Sequence, residues 1–107
     1  MSNKILTLLG FAAKAGKLSF GFDAVRTALS QKKSKLLLVA NDVSSKSKKE
    51  VCFFGEKFGT KVVVLGQFDM ETISHAVGKK CGIISVNDES FSSGIASAID
   101  LCREEIK

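Results

Sequence analysis

The run Lys35-Leu36-Leu37-Leu38-Val39-Ala40 constrains this chain more than any other stretch. Five consecutive apolar residues leave no side for water, so a strand here has to be covered on both faces. Val62–Leu65 is a further apolar run of the same kind, and residues 82–86 read as another buried strand. The segments between them place apolar residues at helical spacing. Strands buried on both faces and separated by helices predict an α/β/α layered fold with a largely parallel central sheet. A chain of 107 residues is long enough for one real core, and a single domain over residues 1–107 is expected.

The helices follow from period and punctuation. Over residues 3–15, Ile5, Leu8, Leu9 and Ala12 share an apolar face, and Gly16 is a natural stop. Ser44 reads as the N-cap of a helix that runs to Phe58 and ends at Gly59, with Val51, Phe54 and Phe58 on one face. Asp69 reads as the next N-cap, and Phe68 and Ile73 have the spacing of a hydrophobic staple. Gly78 ends that helix. Asp88 caps a last one, whose apolar positions are Phe91, Ile95, Ala98, Ile99, Cys102 and Ile106.

Residues 16–29 combine a strand, a glycine and a helix. Leu18 and Phe20 alternate with Lys17 and Ser19, as in a short half-buried strand. Gly21 breaks the pattern, and Phe22, Val25, Ala28 and Leu29 then follow at helical spacing toward Gln31. A helix opening at a glycine has first-turn N–H groups without partners, and with the positive end of the helix dipole these form an anion site. Lys17 and Arg26 add charge nearby. The plain alternative is an ordinary strand-to-helix turn with two solvated basic residues.

Charge distribution points the same way. Residues 1–61 hold 12 Lys/Arg against 4 Asp/Glu, whereas residues 62–107 hold 4 against 7. The formal net charge is +5. One basic half suggests a polyanionic partner, with solubility as the bland reading. Lys46, Lys48 and Lys49 lie in the first turns of the third helix, where cations oppose the dipole and a bound anion offsets that opposition. Gly78-Lys79-Lys80-Cys81-Gly82 is a basic loop able to touch phosphate, or simply an exposed turn.

Signals for catalysis are weak. Gly10 to Leu18 superficially resembles a phosphate-binding P-loop. The glycine spacing is one residue too long, Leu18 stands where Ser or Thr is needed, and a helix precedes it. His75 is the only histidine, and no nucleophile stands out as its partner in sequence. Cys52, Cys81 and Cys102 are widely spaced and suit buried thiols in a reducing cytosol better than a disulfide framework or zinc site. No metal, cofactor, membrane span or secretory signal is expected.

Three motifs in order, Ala15-Gly16-Lys17-Leu18-Ser19-Phe20-Gly21, then Lys35 through Asn41-Asp42, then Ala76-Val77-Gly78-Lys79, carry a resemblance covering nearly all of residues 4–99. The chain resembles the ribosomal L7Ae/L30e superfamily, and within it the short bacterial YlxQ-like RNA-binding proteins. The resemblance implies an α/β/α sandwich with a small mixed sheet. It also implies RNA gripped by the start of helix two and the loop before the last strand, through shape, backbone contacts and unstacked bases. The motif of members that bind kink-turns is Gly-x-Asn-Glu-x-x-Lys. This chain keeps Gly21 but has Asp23, Ala24 and Thr27 at the other three positions, and its loop before the last strand is short and charged rather than apolar. RNA binding in general survives these departures, while kink-turn specificity does not follow from them.

The expected protein is therefore cytoplasmic, non-enzymatic and RNA-binding, associated with the ribosome or rRNA. Its expected anchors are Lys17, Gly21, Phe22, Asp23 and Arg26 at the start of helix two, with Lys46, Lys49, Lys79 and Lys80 as supporting phosphate contacts. The alternative is a protein-interaction module that docks a ribosomal or RNA-processing partner without binding RNA.

Overall fold

The computed structural model describes the backbone of residues 4–106 and the side chains of residues 4–99. Nine elements follow one another: α1 (Lys4–Lys14), β1 (Leu18–Phe20), α2 (Phe22–Ser30), β2 (Leu36–Ala40), α3 (Ser45–Phe58), β3 (Val62–Leu65), α4 (Met70–Val77), β4 (Ile83–Val86) and α5 (Glu89–Ile106). The expected boundaries hold to within a residue or so. The local signals explain why. Ser44 Oγ accepts from Ser47 N–H at 3.2 Å, Asp69 Oδ1 from Thr72 N–H at 2.8 Å and Asp88 Oδ2 from Phe91 N–H at 3.0 Å. Each cap satisfies a donor that its helix leaves open.

Strand order is β1-β4-β2-β3. Only β2 and β3 are parallel neighbours; β4 runs antiparallel to both β1 and β2. The largely parallel sheet predicted from strand–helix alternation is thus corrected to a mixed one, as the family resemblance implies. The cause lies after α4. The chain turns back at Gly78 and returns to Gly82, where a Cβ would lie 3.0 Å from Met70 Cγ. Met70 is where α4 began, so β4 sets out from the end at which β3 finished.

β2 is buried along its whole length, and its side chains alternate between two cores. Leu36, Leu38 and Ala40 join Ile5 and Leu9 of α1, Phe68 and Ile73 around α4, and Ile95 and Ala98 of α5. Leu37 and Val39 meet Val25 and Leu29 of α2 and Val51 of α3 on the other face. The result is three layers, with α1, α4 and α5 on one side and α2 and α3 on the other. The apolar run of β3 predicts burial on both faces, yet Val64 is 41% exposed, because β3 is an edge strand that α3 does not cover there. Of the cysteines, Cys81 is buried but Cys52 is exposed, which corrects the expectation of buried thiols; the side chain of Cys102 lies outside the described residues, as does that of Ile106.

One buried polar chain ties β1 to β4. Ser85, fully buried, places Oγ 2.7 Å from both Ser34 Oγ and Asn87 Oδ1, and Asn87 Nδ2 donates to Ser19 Oγ at 2.8 Å. A hydroxyl has one proton, and an amide oxygen only accepts. Ser85 therefore donates to Asn87 and receives the proton of Ser34, leaving each group satisfied.

Candidate functional site

Because β1, β2 and β3 run in one direction, their carboxyl ends share one end of the sheet, and β4 starts there. Three helices, α2, α3 and α4, begin at this end. Their positive dipole ends collect around the loop of residues 78–82.

Backbone and side-chain hydrogen bonds fasten these segments together. Gly21 N–H donates to Ile83 C=O at 3.0 Å and Ala40 N–H to Gly82 C=O at 2.9 Å. Asn41 N–H reaches Phe68 C=O at 2.9 Å, and Asn41 Nδ2 reaches Gly66 C=O at 3.0 Å. Asp42 Oδ1 accepts from Met70 N–H at 2.9 Å. Asn41 and Asp42 are thus the fasteners of the α4 start. The sequence alone shows only a polar turn there, since their partners lie some 25 residues away in the chain.

The start of α2 is uncapped. Gly21 holds φ 87° and ψ 163°, no side chain caps the helix, and intrahelical bonding begins with Val25 N–H to Gly21 C=O at 3.0 Å. That backbone region is essentially reserved for glycine. Asp23, Ala24, Arg26 and Thr27 are exposed on the first turns, and Phe22 is half-buried. Arg26 is not free-swinging: its guanidinium carbon lies 5.4 Å from the ring centroid of Phe54 on α3. Phe22 meets the same ring edge-on at 5.7 Å.

Lys79 joins this group from the loop before β4. Its Nζ lies 5.4 Å from the ring centroid of Phe20, the residue before Gly21. Lys80 beside it is exposed. Between this loop and α4 opens a hollow of about 620 Å³, lined by Asp42, Met70, Ser74, His75, Lys79 and Lys80 among others. Cys81 anchors the loop in the core; its N–H donates to Ser74 Oγ at 3.1 Å. Burial pushes its thiol up, and the neighbouring Lys79 charge partly opposes that.

The expected anchors do not all converge. Lys46 and Lys49 are on the first turns of α3, at the shared end, and both are exposed. Lys48 differs from them: its Nζ donates to Asn41 C=O at 2.7 Å and so works inside the molecule. Lys17 stands apart. Its carbonyl accepts from Asn87 N–H at 2.8 Å at the opposite end of β1, roughly 13 Å along the strand from Gly21. It keeps company there with Lys35, whose N–H donates to Val86 C=O at 2.8 Å. His75 is 81% exposed and faces Glu71, at 4.0 Å, one turn back on α4. Among the described residues no cluster of three or more His, Cys, Asp or Glu side chains is arranged to hold a metal, and no helix is long and apolar enough to cross a membrane.

Residues 3–95 match the ribosomal protein L7Ae/L30e/S12e/Gadd45 family. The chain belongs to this family. A curated relative, the RNA-binding protein YlxQ of Enterococcus faecium, is 28% identical over 97 residues, which cover 91% of this chain and 92% of that protein. A solved structure from Bacillus halodurans C, described as a protein with unknown function, superposes with a TM-score of 0.86 at 30% identity, covering 92% of this chain and 99% of the other. The Giardia lamblia 15.5kD RNA binding protein shares the fold, with a TM-score of 0.71 at 14% identity, covering 91% of this chain and 82% of its own. The four-stranded mixed sheet is thus the fold of the family.

Proposed function

We propose that this L7Ae/L30e family member is a cytoplasmic, non-enzymatic RNA-binding protein, associated with the ribosome or rRNA, that grips structured RNA at the shared end of its sheet. The observation that carries this reading is the meeting of two elements remote in sequence. The uncapped start of α2 and the Lys79–Lys80 loop meet at the Phe20–Gly21 junction, with Lys79 on the Phe20 ring. First-turn N–H groups of α2, from Phe22 onward, receive phosphate oxygens there, since Gly21 keeps the backbone open to them. Arg26, Lys46, Lys49, Lys79 and Lys80 supply the counter-charge. Asp23 takes a hydrogen bond from a base donor, the one role on this surface for which a carboxylate is suited. Lys17 engages only an RNA long enough to reach past β1. The family's RNA-binding relative supports the reading, as does the basic balance of residues 1–61.

The test is a titration of the whole chain against a structured rRNA fragment, a kink-turn RNA and a duplex DNA over a range of salt. With about four phosphate contacts, log affinity for the structured RNA is expected to fall with log salt at a slope of roughly −3. Structured RNA is expected to bind more tightly than the DNA duplex. A flat salt dependence, or equal affinity for random duplex, overturns the reading in favour of a protein partner or mere charge.

A further inference from the structure

α3 starts at the shared end of the sheet and leads away from it. Lys46, Lys49, Phe53 and Lys57 are spaced three, four and four residues apart, which puts them in one row along a helix. Lys46, Lys49, Phe53 and Lys57 are all exposed. The row is about 16 Å long. Phe53 is 62% exposed, and its ring meets Phe54 edge-on at 5.6 Å. Phe54 in turn carries Arg26 on its face. Beside the row, between α2 and α3, runs a groove of about 360 Å³ lined by Asp23, Arg26, Thr27, Phe54, Lys57 and Phe58. Phe58 is 40% exposed there, with the Lys57 ammonium 5.8 Å from its ring centroid.

Resting on the RNA-binding reading above, we propose that this outer face of α3 is a track for single-stranded RNA leaving the site. On it Phe53 stacks an unpaired base, and Lys46, Lys49 and Lys57 hold the phosphates. The chemistry selects the occupant. Exposed rings interleaved with cations fit a strand whose bases are free to stack and whose backbone is anionic. A duplex offers the charge but no free base face. Lys46, Lys49, Lys57 and Arg26 outnumber Asp23, Glu50 and Glu56, so the face keeps an excess of positive charge. The track is also continuous with the proposed site at the α3 start, so one RNA can occupy both.

The experiment uses the whole chain and two probes, a fluorescein-labelled oligouridine dodecamer and a compact structured RNA without single-stranded tails, read by anisotropy at low salt. Phe53→Ala is expected to weaken dodecamer binding about tenfold, in line with the loss of one stacked base. Phe53→Leu, which keeps the apolar surface but has no π face, is expected to lose as much, and Phe53→Tyr to keep wild-type affinity. The compact RNA is expected to be indifferent to all three. A 5-iodouridine dodecamer is expected to crosslink to the peptide carrying Phe53. Unchanged dodecamer affinity in Phe53→Ala overturns the proposal and leaves the aromatic face to a protein partner. Binding of the compact RNA without any binding of the dodecamer overturns the track alone, whereas failure of both probes takes the RNA-binding reading with it.

Discussion

The ammonium of Lys79 sits 5.4 Å from the centroid of the Phe20 ring. This pair joins the loop before β4 to the residue that precedes the α2 glycine. A partly exposed cation–π pair is worth about 0.5–1 kcal/mol, enough to bias a short loop without governing the fold. Lys79→Ala with Lys80→Ala is expected to leave thermal stability close to wild type. It is expected to weaken structured-RNA binding and to flatten the salt slope by about 1 for each phosphate left without its lysine. Affinity measured across salt checks this; an unaltered slope would mean that neither lysine touches phosphate.

Gly21 tests the backbone rather than the charges. A Cβ there would meet nothing within 4 Å, so no clash forbids a side chain. The obstacle is conformational, since φ 87° with ψ 163° is a region only glycine occupies freely. Gly21→Ala is expected to cost about 1–3 kcal/mol of stability. It also turns the first-turn N–H groups of α2 away, so RNA affinity is expected to drop in protein that remains folded. Calorimetry and an RNA titration below the melting transition separate the two effects. An unchanged Tm would show that this turn relaxes without strain.

Much of this architecture is written locally. Leu36 to Ala40 is buried throughout, as five apolar residues in a row require. Ser44, Asp69 and Asp88 cap as expected because a cap reaches only three residues. What escapes the sequence depends on paths through space. The direction of β4 is decided by where residues 78–82 bring the chain back, and a run of apolar residues is the same for either direction. Val64 is exposed only because no element covers that part of the β3 edge. At the site, Gly21 and its helix are legible. The separation of Lys17 from them is not, because it follows from the pairing of Leu18 with Val86 at the far end of β4. Lys46 and Lys48 lie two residues apart with opposite fates, one open to solvent and one bonded to Asn41 C=O.

That contrast sharpens the charge-reversal test on α3. Lys46 and Lys49 lie where the helix dipole disfavours cations, whereas Lys48 holds the turn after β2. Lys46→Glu with Lys49→Glu is expected to weaken RNA binding at least tenfold while leaving the apo protein as stable as wild type or slightly more so. Lys48→Glu is expected to lower stability instead, by removing the bond to Asn41 C=O. If the double variant binds RNA normally, the two lysines are only a solvated face.

Asp69 makes the α4 cap sensitive to acid. The N–H and hydroxyl of Thr72 donate to its carboxylate and hold its pKa below the ordinary aspartate value. A depressed pKa means that the folded state favours the ionised form. The stabilisation is therefore full above the unfolded pKa of about 3.9 and fades as pH falls through the lower folded value. Asp69→Asn is expected to lower Tm at neutral pH, with the gap to wild type closing as pH falls through the lowered folded-state pKa. Melting curves from pH 2 to 7 check this, and a gap independent of pH would assign the loss to amide geometry instead of charge.

The proposed determinants of kink-turn recognition are Asp23, Ala24 and Thr27. All three are exposed on the first turns of α2, so their substitution leaves the core untouched. At these positions the family's kink-turn motif carries Asn, Glu and Lys. Asp23 presents a charge where a neutral amide both donates and accepts, and it repels phosphate. Ala24 offers no polar atom. The hydroxyl of exposed Thr27 is engaged by its own helix, its Oγ1 donating to Asp23 C=O at 3.1 Å. Wild type is therefore expected to bind a standard kink-turn weakly relative to its own RNA. The triple change Asp23→Asn, Ala24→Glu and Thr27→Lys moves the first-turn carboxylate by one residue without removing it, so the favourable interaction with the dipole is kept and stability is expected to change little. Kink-turn affinity is expected to rise by about 1–3 kcal/mol, the range of hydrogen bonds to charged groups. The gain stays partial because the loop at Lys79 and Lys80 is still short and charged. Titration of both proteins against one kink-turn RNA is the measurement. Tight binding by wild type would show that these side chains are not the determinant. No gain in the triple variant would assign specificity to the Gly21 backbone or to the loop before β4.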